Sequence, residues 1–368
     1  MKRTFAQILE EEREDALRRL SAKVPEWDGS GLELPVRLSI EQCSSSRTAF
    51  YKASLAASLH PGARILDLTG GLGVDTWAFS REASSVTYVE RNPELAALAG
   101  RNFGRLALTN VTTICGDCRD HITEADIIYL DPARRSGTGR KVFKLGECEP
   151  DVRSLLPRLL EAAPHVIIKL SPMADVTELG RELGEALQEV HILGAGGEVK
   201  EVIAVLGRSS VSEPRIIASD GRSTFSFLPQ EERDALAAFP ESPQQLVGGI
   251  LFEPDAVLLK AGCFKLLASR AGLVKLGRHT HLYLAREEQP FGKCRHVRDV
   301  LPLDSRTIKS LGETYPDACV TARNIPLDSE GLRKKMGVTS SGGTHIFGVT
   351  IDSATRPGRY LVVTEKAL

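Results

Sequence analysis

The chain has no run of apolar residues approaching the ~20 that a membrane-spanning helix needs. It has no internal repeat and no low-complexity tract. Its amino terminus, MKRTFAQILEEEREDALRRL, is too charged to read as a secretory signal. The seven cysteines are scattered and odd in number, so a disulfide framework is not expected. Free thiols in a reducing cytoplasm fit better. One Cys-x-x-Cys pair, Cys115 and Cys118, stands without a second pair at zinc spacing. His279, His281, Cys294 and His296 share one region, where surface strand positions are the simpler reading. No metal site is expected. What remains is the composition of a soluble globular protein, 42% hydrophobic and 26% charged.

The 368 residues allow two or three domains. The net charge of −1 hides an asymmetry. Residues 208–368 hold 22 Lys and Arg against 18 Asp and Glu, and within 260–335 the count is 15 against 8. A basic segment of this kind fits a polyanionic partner such as nucleic acid, or simply a solvated surface.

Residues 4–22 read as an amphipathic helix with Phe5, Ile8, Leu9, Leu17 and Leu20 near one face. EQCSSSRTAFYKASLAASL, residues 41–59, reads as a second helix or a loop leading into one. From residue 64 a strand–turn–helix rhythm begins. Strands are expected at 64–68, 86–90, 111–114, 126–130 and 165–170, and helices at 74–82, 93–107, 149–163 and 175–189. Such alternation means βαβ units and a parallel sheet covered on both faces. EVHILGAGGEVKEVIAVLG, residues 189–207, closes the series as an antiparallel pair at the sheet edge. The expected divisions are an N-terminal helical segment (1–60), the α/β domain (61–208) and an α+β region (209–368) ending in a hairpin around Pro357 and Gly358.

Ligands of open parallel sheets bind beyond the carboxyl ends of the strands. Each of the first four strands ends in or runs into an acid here: Asp67, Glu90, Asp117 and Asp131. Gly70, Gly71 and Gly73 follow the first of them and let backbone approach a ligand. Taken singly, each acid reads more readily as a turn residue or helix cap than as a ligand. Together they disfavour a dinucleotide, whose phosphates would meet Asp67 at short range. The chain also lacks a spaced G-x-G-x-x-G, which argues against a nicotinamide-dependent oxidoreductase. A cofactor with a sulfonium and an amino group suits the carboxylates. Glu90 can accept from ribose hydroxyls and Asp117 from an adenine amine, and S-adenosylmethionine carries all of these groups.

On the motif DLTGGLG with Glu90 after it, the sequence resembles class I S-adenosylmethionine-dependent methyltransferases with a Rossmann-like sheet. Thr69 stands where their first motif glycine commonly sits. LDLTGGLGVDTWAFS, VERNPELAALAGRNF, LDPARR and IKLSPMADV, with NIPLDSEGLRKKMGV near the end, resemble a bacterial subgroup with a C-terminal THUMP-like domain. The resemblance implies methyl transfer to a base in structured RNA, tRNA or rRNA, with the C-terminal domain binding RNA. It implies no membrane and no obligatory protein partner. The implied cofactor set is Asp67, Thr69, Gly70, Gly71, Gly73, Glu90, Arg91, Asp117 and Cys118, with Gln42 and Lys52 near it if the segment before the first strand folds over. In amino-methylating relatives the fourth strand ends Asp/Asn-Pro-Pro-aromatic. Asp131 and Pro132 match and are the catalytic candidates, while Ala133 and Arg134 depart. Phe143 or the Arg134 guanidinium could supply stacking, and Arg134 and Arg135 could contact phosphate. Uracil C5 enzymes end this strand Asp-Pro-x-Arg but need a cysteine after strand five, where this chain has Ser171. Cys148 is the nearest thiol and reads as loop packing. Lys169 interrupts an apolar strand, which is costly unless it is paired or at the open end, so Asp131, Glu90 or substrate is its expected partner. The rival readings are a small-molecule or protein methyltransferase and a non-catalytic RNA-binding relative.

Overall fold

The computed structural model describes residues 5–28, 31–33, 43–134 and 145–366. The chain divides into two compact units, Met1–Leu193 with Lys200–Arg215, and Gly194–Val199 with Ile216–Leu368.

The first unit is built on strands β1 (Arg64–Asp67), β2 (Ser85–Glu90), β3 (Val111–Cys115), β4 (Ile127–Leu130), the short β5 (Ala133–Arg134) and β6 (Cys148–Glu149), then β7 (His165–Leu170), β8 (Leu187–Ala195) and β9 (Glu198–Gly207). The sheet order through it is β8-β9-β7-β4-β1-β2-β3. β1 runs parallel to β2 and β4, β2 to β3, and β4 to β7, while β9 is antiparallel to β7. The winding leaves β1 in one direction toward β3 and resumes at β4 on its other side. A crevice opens at such a switch point, beyond the ends of β1 and β4.

These strands form because ILD and IIYL are buried on both faces, as interior parallel strands require. The helices are α1 (Phe5–Lys23), α2 (Ser46–Leu59), α3 (Val74–Phe79), α4 (Pro93–Arg105), α5 (Val152–Ala162) and α6 (Val176–Leu183). The Asn92 side chain accepts from the N–H groups of Glu94 and Leu95, with Pro93 at the first helical position, and this fixes the start of α4. Asp151 and Asp175 cap α5 and α6 likewise. The expected helix 175–189 overruns: α6 stops before Gly184, and β8 begins at Leu187. The helix expected at 74–82 ends at Phe79.

Trp77 anchors the core beneath the crevice. Trp27 meets it edge-on with ring centroids 5.7 Å apart, and Phe50 of α2 lies at 5.0 Å. Ala16 and Leu20 of α1 are buried in the same cluster. Leu17, expected on that apolar face, is instead 44% exposed. One turn separates it from Leu20, but the buried stripe runs through Ala16. The side chains of Phe5, Ile8 and Leu9 lie outside the described residues.

In sequence, the β10 (Arg215–Ser219) and β11 (Thr224–Phe227) hairpin comes next. The second unit carries β12 (Ile250–Pro254), β13 (Val274–Lys275), β14 (Tyr283–Ala285), β15 (Gly292–Pro302), β16 (Cys319–Arg323), β17 (His345–Ile351) and β18 (Gly358–Lys366), in sheet order β13-β14-β12-β15-β18-β17-β16. Its helices are α7 (Pro229–Asp234), α8 (Ala256–Ala261), α9 (Phe264–Ala271), α10 (Ser305–Thr314) and α11 (Ser329–Met336). The expected terminal hairpin is β17–β18, turning between Ile351 and Gly358. β16, parallel to β17, was not legible in the sequence, because its residues are only partly buried. In the run Arg333–Lys334–Lys335, the first two cations pair with Glu330, whose carboxyl their hydrogen bonds hold down to about 2.

Candidate functional site

A cleft of about 220 Å³ opens at the switch point. Asp67, Glu90, Asp117 and Asp131 all line it, as do Thr69, Gly70, Gly71, Gly73, Arg91 and Cys118. The strand-end acids are therefore brought together on one rim, because parallel strands in register deliver their carboxyl ends to the same edge.

Asp67 is 1% exposed and holds the turn that follows it. It accepts from the Thr69 N–H at 3.2 Å and from the Thr76 hydroxyl at 2.6 Å. Burial, with Asp75 and Asp131 nearby, pushes its carboxyl up to about 7 despite those donors. Thr69 has a part that a glycine could not play. Its hydroxyl accepts from the Asp131 N–H at 2.5 Å and so ties the turn after β1 to the end of β4. Glu90 accepts from the N–H groups of Gly71 at 2.9 Å and Asn92 at 2.8 Å. Each of its oxygens thus has one backbone donor, and the residue lines the cleft.

The glycines divide by purpose. Gly71 (φ +54°) and Gly73 (φ +86°) occupy left-handed backbone that L side chains rarely adopt. Gly70 is excluded from change by packing: a Cβ there would lie 2.0 Å from the Tyr88 ring, which is itself wholly buried and donates to the Gly71 carbonyl. Gly70→Ala should therefore cost about 1–3 kcal/mol or more through forced displacement of Tyr88. In thermal melting that is a fall of roughly 5 °C. An unchanged melting temperature would show that the ring gives way freely.

Asp117 is drawn toward a neighbour that the sequence reading missed. Arg119 donates to it from the backbone at 2.9 Å and from the guanidinium at 2.8 and 2.5 Å. These bonds hold the carboxyl well below the usual carboxylate range. Cys118 is buried beside it, with burial pushing its thiol up to about 11, so it is an inert wall. Arg91 lies 3.9 Å from Glu149, another lining residue.

Behind the cleft lies a network of buried charge. Lys52, 0% exposed, reaches Asp75 at 3.1 Å and Glu201 at 2.8 Å, and donates to the Ser44 hydroxyl at 2.9 Å. Asp75 also accepts from Ser44 at 2.9 Å and from the Tyr129 hydroxyl at 2.7 Å. Burial opposes its charge, but Lys52 and Lys169 hold its carboxyl below the ordinary value. Lys169, at the open end of β7, donates to Asp131 at 2.6 Å. Burial opposes the Lys169 ammonium too, yet Asp131, Asp75 and Glu201 together raise its pKa above the usual lysine range. Lys52 is thus near the cleft but sealed behind its wall. Asp75, Glu201, Tyr129 and Ser44 were missed. The available signal was the one that singled out Lys169: an ionisable residue inside an apolar run, as in VDTWAF and VKEVIAVLG.

Pro132 is buried next to Asp131. Arg134 contributes backbone to β5, and its side chain lies outside the described residues, as do Gln42, Arg135 and Phe143 altogether. Cys148 is buried in β6, away from any catalytic exposure.

The sheet order, the glycine turn and the acid rim define a class I methyltransferase domain. Three family models match the chain: protein-L-isoaspartate (D-aspartate) O-methyltransferase over residues 23–127, a ferredoxin-like domain over 251–291 and a THUMP domain-like module over 292–366. A solved structure of a candidate methyltransferase from Porphyromonas gingivalis W83 is 32% identical, covers 97% of this chain and 90% of its own, and superposes with a TM-score of 0.85. The chain belongs to the family of methyltransferases with a C-terminal THUMP-like domain that this structure represents. Among curated relatives, ribosomal RNA small subunit methyltransferase J from Alteromonas mediterranea is 31% identical over 31% of this chain and 52% of its own length. The same enzyme from Rhodopseudomonas palustris is 26% identical over 43% of this chain and 79% of its own. The 23S rRNA (uracil(1939)-C(5))-methyltransferase RlmD of Cronobacter sakazakii is 31% identical over 34% and 31%. The chain thus spans about half the length of the first of these relatives and a third of the last.

Proposed function

We propose that this chain binds S-adenosylmethionine in the acid-rimmed cleft and transfers its methyl group to a base in structured RNA, in the cytoplasm. The observation that carries the cofactor is the pairing of the cleft's carboxylates. Asp131, Asp75 and Asp117 each have a cation partner. Asp67 and Glu90 meet only backbone and hydroxyl donors among the described residues. Carboxyl groups without a cation partner, Glu90 and the partly ionised Asp67, fit a cationic cofactor and repel a pyrophosphate. Asp67 would face the positive end, Glu90 the ribose hydroxyls, and Asp117 with Cys118 the adenine. Asp117 shares its carboxylate with Arg119, so its part is the weaker one.

The sulfonium supplies a methyl group that is already activated. The protein's share is to align the acceptor and exclude water. Asp131 is placed for that, fixed from one side by Thr69 and from the other by Lys169. The RNA assignment rests on the named activities of the curated relatives, the THUMP-like module and the basic balance of residues 260–335. Comparing the nucleosides of total RNA with and without the gene by mass spectrometry tests it. One methylated base should disappear, and an unchanged profile would remove the RNA reading.

A second expectation concerns protons. A cation docking beside Asp67 lowers a carboxyl that burial has pushed up to about 7. Near pH 6.5 binding should therefore release a fraction of a proton, and near pH 9 none from this group. Calorimetric titration in two buffers of different ionisation enthalpy reads this directly. The heats should differ at pH 6.5 for the wild type and converge for Asp67→Asn. Equal heats in the wild type would place the cation elsewhere.

A further inference from the structure

The second unit carries a cluster of cations that the cleft of the first does not use. β15 and β18 pair with Arg295 opposite Lys366 and Val297 opposite Thr364. β17 sets His345 opposite Thr364 on one side and Cys319 of β16 on the other. Alternation along the strands then puts Lys293 and Arg295 of β15, His345 and Phe347 of β17, and Thr321 and Arg323 of β16 on one face of the sheet. Further along that face, Phe347, Val349 and Val362 are buried in an apolar cluster. The opposite face is covered by α10 and α11, whose Ile308, Leu311 and Leu332 cluster with Ile346, Leu361 and Val363.

The His345 ring lies flat on Phe347, with centroids 4.2 Å apart and planes 14° from parallel. The Thr321 hydroxyl meets its Nε2 at 2.7 Å and fixes its orientation. The residue remains partly exposed. Burial and the cations Arg295, Lys293 and Arg323 outweigh Glu253 and push the imidazole down to about 4, so the ring is uncharged at neutral pH. Lys293 is exposed and joins no ion pair among the described residues. Arg295 is half-buried, and its Nε has no acceptor there either. Arg323 is 47% exposed and pairs with Glu253 at 2.8 Å. Three cations thus surround one neutral ring, against one carboxylate.

Unspent positive charge of this kind complements phosphate, and two of the three cations are guanidinium groups, which bind it by paired hydrogen bonds. A neutral aromatic ring offers phosphate nothing. It suits the face of a base, and only an unpaired strand presents base faces together with phosphates. A duplex keeps its bases stacked inside. We propose that this face of the second unit is a docking surface for an unpaired stretch of RNA, with Lys293, Arg295 and Arg323 on its phosphates and His345 against a base. The proposal rests on the RNA reading above, and it names the surface, the groups and the form of RNA that they hold.

The test is equilibrium binding of the full chain to a labelled oligouridine of about 12 nucleotides, followed across a range of salt concentrations. Lys293→Gln and Arg295→Gln should each weaken binding roughly threefold to tenfold and reduce the slope of log affinity against log salt by about 0.7. His345→Ala should weaken it roughly tenfold with the slope unchanged, because a stacked neutral ring releases no counterion. Lys309→Gln is the control. Lys309 is 80% exposed on α10, across the sheet from the cluster, and its loss should leave binding within about twofold. An RNA duplex of the same length should bind the wild type more weakly than the oligouridine. Thermal melting shows which variants are folded, and Lys293, being exposed, can be changed without disturbing the core. Wild-type binding in folded Lys293→Gln, an equal loss in Lys309→Gln, or a preference for the duplex overturns the proposal. If the surface behaves as expected but no nucleoside in the cell changes, the methylation reading fails while the docking surface stands. If a methylated base disappears with the gene but Lys293→Gln binds as the wild type, the surface fails while that reading stands.

Discussion

Replacing Lys52 with methionine should lower the melting temperature of the protein by roughly 10 °C, the largest stability effect expected from any single change in the first unit. The lysine is 0% exposed and sits between the Asp75 and Glu201 carboxylates, both nearly inaccessible to water. Removing one partner of a buried ion pair leaves uncompensated charge in a medium that solvates it poorly, and costs about 3–5 kcal/mol. For a unit of this size each kcal/mol is worth roughly 2–4 °C. The charge left behind, and not the lost contact, is the main cost. Lys52→Met combined with Glu201→Gln should therefore recover a large part of the loss, a coupling that a double-mutant cycle in thermal or urea melting measures. Additive losses would mean that Lys52 and Glu201 act independently.

Asp131→Asn should reduce methyl transfer by about 10²–10⁴-fold, the usual worth of a positioned acid–base group, while leaving the affinity for S-adenosylmethionine within about threefold, since the change removes one charge at the rim and not the glycine turn. The backbone N–H of residue 131 still donates to Thr69, so the turn and the strand end stay tied together. What goes is the carboxylate that pairs with Lys169 and lines the cleft. Single-turnover transfer to RNA from cells lacking the gene, set beside equilibrium binding of the cofactor, separates the two effects. Equal losses in both would make Asp131 part of the cofactor site. No loss in either would return Asp131 and Lys169 to the role of a structural ion pair.

Much of this was legible in the sequence because a parallel sheet is a simple reader of its own strands. Runs such as ILDL and IIYL are buried on both faces, and the acids that end them must appear together at one edge. The terminal hairpin was legible for a similar reason, from two β-branched runs around Pro357 and Gly358. What escaped is what depends on three-dimensional neighbours. Gly70 reads as a cofactor glycine but is required by the Tyr88 ring. Asp117 reads as a free acceptor but shares itself with Arg119 two residues on. Thr69 reads as a departure from a glycine motif, yet its hydroxyl bridges two strand ends. Asp75 and Glu201 are 126 residues apart, and no local pattern announces that one lysine joins them. Leu17 shows the limit of periodicity: its spacing fits the apolar stripe of α1, and the packing of Ala16 decides against it.

The account turns on whether Asp67 and Glu90 leave the cleft electrically suited to a sulfonium. Isothermal titration of the purified full chain with S-adenosylmethionine measures this most directly. It should show saturable binding at one site per chain, displaced by S-adenosylhomocysteine and weakened at least tenfold by Glu90→Ala, the loss of about 1.4 kcal/mol that two ribose contacts would supply. No heat with this cofactor, together with saturable uptake of NAD, would contradict it.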